Sequence, residues 1–360
     1  MKVLIVDDSS LYRKILSNSV ESIQGNIQVS TAPTGAIALK KIPDFSPDIV
    51  LLDIEMPEMN GIEVLKKIKE SFPKLNVILV SGVNTRSADI TIEGLSAGAA
   101  DFIPKPTGTN LEQNTKELKT SLETAFKFFK GTEFYQRAPS EVSAAIASRP
   151  ATEISHGTIP SIIPTRVDIV GIGISTGGPN ALLQMIPELP LNLKAPIVIV
   201  QHMPPVFTTS LAKALNDKSK VSVVEAAEGM TLEPGNVYLA PGGIHTTVRK
   251  QSSGENGSFT FVLEDSPPVN SCKPAVDVLF KSIARTAGGK SLAVIMTGMG
   301  SDGLTGVMAI KEQMGYCLSQ SAETCTVYGM PQAVDQANLS DEKIPLPLMA
   351  SRITSISNGI

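Results

Sequence analysis

A serine in a glycine-rich turn is the first residue of this chain whose type and setting point to chemistry. Ser175 lies in a G-x-S-x-G sequence, after an apolar run that begins at Ile169 and before Gly-Gly-Pro. Such a strand–turn–helix context exposes the hydroxyl beside backbone N–H groups, which suits a nucleophile. The alternative is a nucleotide-binding module with a phosphate loop over Gly171–Gly178. Against it, Thr176 stands where a dinucleotide fingerprint has its third glycine, and no lysine completes a Walker A sequence.

Two further strand ends supply a base and an acid. His202 comes soon after the apolar run Ile197–Val200, and Asp302 lies in a glycine-rich segment after the apolar run Leu292–Met296. Acyl transfer needs a hydroxyl, an imidazole to take its proton and a carboxylate to fix the imidazole tautomer. We therefore predict Ser175, His202 and Asp302 as a catalytic triad.

Each partner in this set has a simpler alternative. Asp302 could cap the helix predicted from Leu304 onward. His245, in an irregular or hairpin-rich region over residues 221–263, is a rival base, and either histidine could be structural. Cys272 is a rival nucleophile, although a lone cysteine is more often a small core residue.

The elements that must position these residues follow from the same apolar runs. Buried runs separated by helical stretches predict a doubly wound, mostly parallel α/β domain with a β-hairpin region. Parallel strands end at one edge of a sheet, where functional residues collect. The chain order Ser…His…Asp differs from the Ser…Asp…His order of α/β-hydrolases, so we predict another parallel-sheet arrangement.

The first 130 residues predict a separate parallel sheet with helices on both faces, since short strand-like runs alternate with amphipathic stretches. A helix is expected over residues 111–130. The strand-like runs are Val3–Val6, Ile27–Ser30, Ile49–Leu52, Val77–Val80 and Asp101–Ile103.

Polar residues follow four of these runs: Asp7 with Asp8, Asp53, Ser81 and Lys105. Three carboxylates that converge on one site repel each other and need a cation, and oxygen-only ligands favour Mg²⁺. A lysine and a hydroxyl facing the same site suit the oxygens of a transferred phosphoryl group. The alternative, that strand-end acids merely cap helices, accounts for one of them but not for the set.

Length and composition favour two globular domains in a cytoplasmic protein. The chain has 360 residues, with 42% hydrophobic and 18% charged residues and a net charge of −4. This charge argues against nucleic acid as the main partner. No signal peptide or apolar run of membrane-spanning length is apparent. Residues 131–165, rich in Pro, Ser, Thr and Ala, predict a flexible linker between domains over residues 1–130 and 166–360.

From Met1 to about Phe129 the chain resembles the receiver domains of two-component response regulators. The match rests on the double acid, the Asp-x-x-Met-Pro-x-x-x-Gly sequence that begins at Asp53, the hydroxyl and the Lys-Pro pair, in this order. The resemblance implies a flavodoxin-like, five-stranded parallel sheet with Asp53 as the phosphoryl acceptor. Ser81 stands where many members have Thr, which keeps the hydroxyl. The other implied roles are Mg²⁺ binding by Asp7, Asp8 and Asp53, phosphoryl contacts by Ser81 and Lys105, and inward packing of Phe102 with Ser81.

From about Asp168 to the C-terminus the chain resembles the catalytic domain of chemotaxis protein-glutamate methylesterases. The resemblance implies Ser175 as nucleophile, His202 as base, Asp302 as orienting acid, Thr176 as a site-lining residue and the Met299 N–H as an oxyanion donor. A departure is Ser-Cys-Lys before Pro274, where relatives commonly carry arginine, and it concerns substrate contacts. The matching segments are Ile169–Pro179, Gln201–Met203, Asp265–Phe280, Thr297–Gly303 and Tyr328–Pro331.

Together the resemblances imply a phosphorylation-activated serine hydrolase. It would remove methyl esters from glutamate, and deamidate glutamine, on chemoreceptors in chemotaxis signalling. The implied partners are a histidine kinase of a chemotaxis-type pathway and the cytoplasmic helices of methylated chemoreceptors, with no nucleic acid and no membrane insertion. We expect a monomer that needs Mg²⁺ for phosphorylation and no cofactor for hydrolysis. The alternative is a phospho-switched adaptor without catalysis, or a nucleotide-binding module.

Overall fold

The computed structural model describes five segments of the chain. They are residues 1–23, 26–106, 111–131, 163–251 and 258–359. The chain divides into two compact units, Met1–Ile146 and Ala147–Ile360. Most of the linker predicted over residues 131–165 lies outside the described segments, so the predicted domain bounds stay a prediction.

The first unit is built on a parallel sheet in the order β2-β1-β3-β4-β5. Its strands are β1 (Lys2–Val6), β2 (Gln28–Ala32), β3 (Ile49–Asp53), β4 (Asn76–Ser81) and β5 (Asp101–Pro104). Its helices are α1 (Ser10–Glu21), α2 (Gly35–Phe45), α3 (Gly61–Ser71), α4 (Thr85–Ser96) and α5 (Leu111–Gly131). The flavodoxin-like prediction is confirmed, and the reversal of strand order between β1 and β3 opens a crevice at their carboxyl ends.

Burial explains why the inner strand β3 is an almost continuous apolar run in the sequence. Every residue of β3, Ile-Val-Leu-Leu-Asp, is buried, as expected of an inner strand covered on both faces. Each of the first four helices has an N-cap residue whose side chain accepts a hydrogen bond from an N–H in the first turn. These N-caps are Ser9, Thr34, Asn60 and Asn84. Such caps start a helix at a defined residue after each strand-end loop.

The second unit contains a parallel sheet in the order β15-β14-β13-β6-β7-β10-β8 and an antiparallel sheet in the order β11-β12-β9. Its strands are β6 (Ile169–Ile174), β7 (Ile197–Gln201), β8 (Val223–Glu225), β9 (Thr231–Leu232), β10 (Val237–Leu239), β11 (His245–Lys250), β12 (Phe259–Glu264), β13 (Ser291–Ile295), β14 (Tyr316–Gln320) and β15 (Glu342–Ile344). Its helices are α6 (Gly178–Met185), α7 (Pro205–Lys218), α8 (Val276–Ala287), α9 (Leu304–Glu312), α10 (Met330–Gln336) and α11 (Leu346–Asn358).

This architecture confirms the predicted mostly parallel α/β domain and its hairpin, which is β11–β12. The region over residues 221–263 is only partly hairpin, however, because β8 and β10 join the edge of the parallel sheet. Strands of three residues are too short to show a period in the sequence. None of the helices in the described segments is both long and apolar enough to cross a bilayer.

Two glycines of the segment that was considered as an alternative phosphate loop have a packing role inside β6. A Cβ at Gly171 would lie 2.8 Å from side-chain atoms of Phe280 and Ile283, and a Cβ at Gly173 would lie 2.4 Å from Val276. All three neighbours belong to α8. Glycine therefore lets α8 approach the strand closely, and this accounts for the glycine pattern without a phosphate.

Candidate active site

Three neighbouring strands direct Ser175, His202 and Asp302 to one edge of the sheet. β6 is the middle strand, with β13 on one side and β7 on the other, and all three run parallel. Ser175 directly follows β6, His202 directly follows β7, and Asp302 lies on the loop between β13 and α9. In chain order, β7 is added to the sheet on one side of β6, and β13 is added later on the other side. This reversal of strand order is a topological switch point, where α/β folds form ligand crevices.

Asp302 is buried, with both carboxylate oxygens surrounded by donors. Burial raises the pKa of Asp302, but the hydrogen bonds with His202 and other donors outweigh burial and hold the pKa below its ordinary value. The carboxylate is therefore ionised. Oδ2 lies 2.8 Å from His202 Nε2 and 2.7 Å from the Val276 nitrogen, and Oδ1 lies 2.9 Å from Asn270 Nδ2, 3.2 Å from the Asp277 nitrogen and 3.1 Å from the Gly303 nitrogen.

Asp302 does not act as the simple cap of the helix that follows it. That helix, α9, has Gly303 as its N-cap and no side-chain cap hydrogen bond. Asp302 instead accepts the N–H groups of Val276 and Asp277, the first residues of α8, where the helix dipole favours a negative charge. The loop after β13 thus anchors the acid on a different helix.

His202 is held between an acid and a thiol. Its Nε2 faces Asp302 at 2.8 Å, and its Nδ1 faces Cys272 Sγ at 3.5 Å. Burial lowers the pKa of His202, but the hydrogen bonds with Asp302 and Cys272 outweigh burial and raise the pKa to about 9. With the Nε2 proton donated to Asp302, Nδ1 is the nitrogen free to act as a base.

The turn that carries Ser175 is tied to its neighbours through the backbone. The Ser175 N–H donates to Thr297 O at 2.9 Å, and Gln201 Nε2 donates to Ser175 O at 3.0 Å and to His202 O at 3.2 Å. In the described part of the chain the Ser175 hydroxyl makes no hydrogen bond. For His202 to take the Ser175 proton, its Nδ1 would have to exchange Cys272 for this hydroxyl, and catalytic hydrogen bonds often tighten only when substrate binds.

Backbone donors without an acceptor in the described segments include the N–H groups of Thr176 and Met299. The loop that carries Met299 lies close to the serine, because a Cβ at Gly298 would stand 2.7 Å from Ser175 Cβ. Gly329 packs behind that loop, where a Cβ would lie 3.2 Å from Met299 Cα. Unpaired N–H groups beside a hydroxyl nucleophile are what an oxyanion hole requires.

The rival residues have different outcomes. His245 is fully buried, with its Nδ1 accepting from the Ala275 N–H at 3.2 Å and its Nε2 3.0 Å from Pro267 O. Both ring nitrogens are thus occupied by backbone, which makes this histidine structural. Cys272 lies at the predicted site beside His202, so its role needs the functional tests described below.

A tight hairpin turn supplies two contacts that sequence reasoning missed. Val269 and Cys272 exchange backbone hydrogen bonds of 3.1 and 2.9 Å, and the two central residues have φ of 51° and 62°. Positive φ at both positions is typical of a type I′ turn, which favours asparagine. Its first central residue, Asn270, donates from Nδ2 to Asp302 and to Asp277, at 2.9 Å each. In the sequence, the signal that could have indicated these contacts was an asparagine in a turn just before α8.

The acidic cluster predicted in the first unit is also present. Asp7 and Asp53 are buried, Asp8 is exposed, and each offers an oxygen within 4.8 Å of the others. Lys105 Nζ lies 3.0 Å from Asp7 Oδ2 and 2.8 Å from Asp53 Oδ2, and 4.5 Å from the ring centre of Tyr12, a contact not predicted. Burial raises the pKa of Asp53 to about 6, although Lys105 opposes the shift. This donor set fits Mg²⁺, which takes oxygen ligands.

Ser81 and Phe102 have less direct connections to this cluster. Ser81 is fully buried, and its hydroxyl lies 2.7 Å from the hydroxyl of Thr91 on α4. No hydrogen bond in the described segments joins this hydroxyl to Asp53 or Lys105, although the Lys105 N–H donates to the Ser81 carbonyl oxygen at 2.6 Å. Phe102 is partly buried on β5. The roles assigned to Ser81 and Phe102 stay predictions.

Two family models match the chain, one in each unit. The model for CheB methylesterase matches residues 170–353, and that for the response regulator receiver domain matches residues 3–116. The first range contains Ser175, His202 and Asp302, and the second contains the acidic cluster.

Individual relatives cover nearly the whole chain. A protein-glutamate methylesterase/protein-glutamine glutaminase from Desulfotalea psychrophila is 41% identical over 357 residues, covering 98% of this chain and 97% of the relative. A Thermotoga maritima protein of the same name is 39% identical over 348 residues, covering 96% and 95%. The crystal structure of the Thermotoga maritima CheB methylesterase catalytic domain matches with a TM-score of 0.50 and 41% identity, covering 53% of this chain and 98% of that one. The chain therefore belongs to the CheB family of protein-glutamate methylesterase/protein-glutamine glutaminases, in which a response regulator receiver domain accompanies a methylesterase domain.

Proposed function

We propose that this protein is a phosphorylation-activated serine hydrolase that removes methyl esters from glutamate side chains of chemoreceptors and deamidates glutamine there. One observation carries the chemistry: Ser175, the His202–Asp302 pair and unpaired backbone N–H groups converge at one sheet edge. The names of the full-length relatives specify both reactions. The cytoplasmic helices of methylated chemoreceptors are accordingly the proposed substrate, and a cytoplasmic monomer the proposed form.

The reaction would begin with attack of Ser175 Oγ on the γ-carbonyl carbon of a glutamyl methyl ester. His202 Nδ1 takes the hydroxyl proton, while Asp302 accepts the Nε2–H and stabilises the imidazolium. The N–H of Met299, with Thr176 lining the site, would donate to the oxyanion. His202 then returns the proton to the leaving methanol, and water hydrolyses the acyl-enzyme with the same base.

Deamidation follows the same path. A glutamine side chain presents the same γ-carbonyl with ammonia as its leaving group, and it forms the same acyl-enzyme. The chain's own residues supply the nucleophile, base and donors for both reactions, so we expect hydrolysis to need no cofactor. The side chain of Met299 is 47% exposed and gives the site an apolar rim suited to the side of a receptor helix.

The receiver domain makes a histidine kinase the expected source of the activating signal. We place the phosphoryl group on Asp53, with Asp7, Asp8 and Asp53 as the residues that would hold Mg²⁺. Bound Mg²⁺ supplies positive charge that offsets the carboxylates and the incoming phosphoryl oxygens. Lys105, already paired with Asp53, would contact a phosphoryl oxygen, and Ser81 another. The modification adds about −1.5 to −2 charges.

The direct test measures methanol released from methylated receptor membranes, with and without a small phosphodonor and Mg²⁺. We expect release by the wild-type chain and stimulation by the phosphodonor. Asp53→Asn should keep the unstimulated release and lose the stimulation. The same chain with Ser175→Ala should release methanol only at a residual rate, on the order of 10⁶-fold below that of the wild type. Binding of the membranes without methanol release would instead favour the non-catalytic adaptor.

The pKa of His202 leads to a prediction about the pH profile. With a pKa raised to about 9, His202 is protonated at neutral pH and cannot take the Ser175 proton. We expect kcat/KM to rise with pH up to a midpoint near this value. Cys272→Ala removes a hydrogen-bond partner that raises the pKa, so the midpoint should move to lower pH. Rates on a small methyl ester in the presence of EDTA, corrected for spontaneous hydrolysis, measure this.

The matched control for this prediction is Cys325→Ala. Cys325 is a partly buried cysteine whose Sγ contacts Gln320 O, so its replacement should leave the midpoint unchanged. An unchanged midpoint in Cys272→Ala would mean that the thiol does not influence the base.

Asp53 leads to a prediction about stability. Its pKa is raised from the ordinary 3.8 to about 6, so the folded state favours the protonated acid. That contribution is complete below pH 3.8 and is lost as the pH rises through 6. Above pH 6 without divalent ions, we expect Asp53→Asn to stabilise the first unit by about 1–3 kcal/mol. Calorimetric unfolding of the full chain measures the difference.

Mg²⁺ provides the internal control for Asp53. It should stabilise the wild type at neutral pH by offsetting the clustered carboxylates, and it should stabilise Asp53→Asn less. Glu63→Gln, on the exposed first turn of α3, should respond to Mg²⁺ as the wild type does. If Asp53→Asn lowered the unfolding temperature at neutral pH, the ionised carboxylate would be stabilising, contrary to this prediction.

A further inference from the structure

A second cluster of metal-ligand atoms lies within the methylesterase site itself. His202, Cys272 and Asp302 each offer one ligand atom, and these atoms lie within 4.8 Å of one another. The hydrolytic steps use His202 and Asp302 but give the thiol no task. We propose that Cys272 and His202 bind a zinc-class divalent ion and that this ion inhibits the hydrolase.

The spacing of the two ligand atoms suits a tetrahedral ion. Cys272 Sγ and His202 Nδ1 are 3.5 Å apart. Zinc bonds of about 2.3 Å to sulfur and about 2.0–2.1 Å to nitrogen, at a tetrahedral angle, put the two ligand atoms about 3.6 Å apart. An ion could therefore bridge the pair without displacing either side chain far.

The other side of the imidazole is prepared in the way that zinc-binding histidines require. Asp302 Oδ2 lies 2.8 Å from His202 Nε2. A carboxylate that accepts the proton of one ring nitrogen fixes the tautomer and leaves the other nitrogen's lone pair for a metal. Here that other nitrogen is Nδ1, the one facing the thiol. The arrangement that prepares His202 as a base prepares it equally as a ligand.

The thiol is held in position by its turn. Cys272 closes the hairpin with Val269 through two backbone hydrogen bonds. Asn270, between them, donates to Asp302 Oδ1 and so fastens the turn to the carboxylate that orients His202. Cys272 and His202 are partly buried and reachable from solvent. Both ligands are therefore preorganised, which reduces the entropy lost on binding an ion.

The identity of the ligands selects the ion and explains the inhibition. A thiolate and an imidazole favour Zn²⁺ over Mg²⁺, which prefers the oxygen cluster around Asp53. Cys272 binds as the thiolate and His202 through an unprotonated Nδ1, and the protons that these two groups carry pass to solvent, so binding weakens as the pH falls. An ion on Nδ1 occupies the lone pair that must take the Ser175 proton. With two protein ligands and water in the other positions, the ion should be removable by a chelator.

The first experiment measures ion binding independently of the enzyme activity. Co²⁺, a coloured substitute for Zn²⁺, is titrated into the full-length chain, and the thiolate-to-cobalt charge-transfer absorption is recorded. We expect the band in the wild type and in Cys325→Ser, and its loss in Cys272→Ser and Cys272→Ala. Asp53→Asn should keep the band, because the receiver cluster contains no thiol. Absence of the band, or its survival in both Cys272 variants, would overturn the proposal.

Zn²⁺ inhibition is then measured as the concentration that halves each variant's own rate of ester hydrolysis. We expect EDTA to reverse the inhibition, and Cys272→Ser to raise the half-inhibiting concentration by at least about tenfold while Cys325→Ser leaves it unchanged. Equal inhibition of Cys272→Ser and wild type would overturn the inhibitory role. This second arm rests on the proposed hydrolase, whereas the cobalt band does not. A band without any ester hydrolysis would therefore support the ion site while the proposed function failed.

Discussion

Replacing Ser175 with alanine is expected to lower the turnover of a methyl ester by on the order of 10⁶-fold, as loss of the nucleophile does in other serine triads. The residual rate would come from the backbone donors and from substrate binding. The fold should be retained, because the contacts that hold this turn are made by the Ser175 N–H and carbonyl rather than by its hydroxyl. Initial rates of methanol release, with thermal unfolding of the same sample, measure both effects.

The geometry around His202 makes this experiment discriminating. The base faces Cys272 Sγ at 3.5 Å, so a Cys–His–Asp mechanism is the specific competitor. If serine is the nucleophile, Cys272→Ala should remain active and an organophosphonate should label Ser175 alone. The opposite pattern, an active Ser175→Ala and an inactive Cys272→Ala, would transfer the nucleophilic role to the thiol.

The parts of the structure that could be predicted from the sequence are those set by continuous apolar burial. Strands such as β3 and β6 are covered on both faces, so their whole length is apolar and their ends are marked by polar residues. Because parallel strands end at a common edge, the residues after β6, β7 and β13 could be grouped before any contact was known. Both the triad and the Asp53 cluster were predicted in this way.

The parts that could not be predicted depend on contacts between distant segments. Asn270 reaches Asp302 across 32 positions, and Cys272 reaches His202 across 70. No periodic pattern encodes such pairs, because a hairpin turn and a helix start bring them together. The glycines of β6 were ambiguous for a similar reason. Glycine is needed there because side chains of α8, roughly a hundred residues later in the chain, pack directly against the strand.

Asp302→Asn is expected to lower kcat by about 10⁴-fold with little change in KM, because the amide favours the wrong tautomer of the base. Oδ1 of Asp302 accepts three donors, including Asn270, so the asparagine carbonyl should take that position. The NH₂ group of the asparagine then stands where Oδ2 stood, so a hydrogen-bond donor faces His202 Nε2 and the Val276 N–H. His202 must accept at Nε2 and carry its proton on Nδ1, where it cannot receive one from Ser175.

Asp277→Asn is the matched control for this loss. Asp277 is also buried, and it accepts from Asn270 and from the Gly306 N–H at 2.9 and 2.7 Å, so it belongs to the same network without touching the histidine. We expect Asp277→Asn to reduce stability and to leave kcat within about tenfold of wild type. Asp302→Asn should lose stability as well, because the Val276 N–H loses its acceptor. If both variants lost the same turnover, the network would act by maintaining the fold. A loss of kcat that is confined to Asp302→Asn and leaves KM unchanged would show that Asp302 fixes the tautomer of His202.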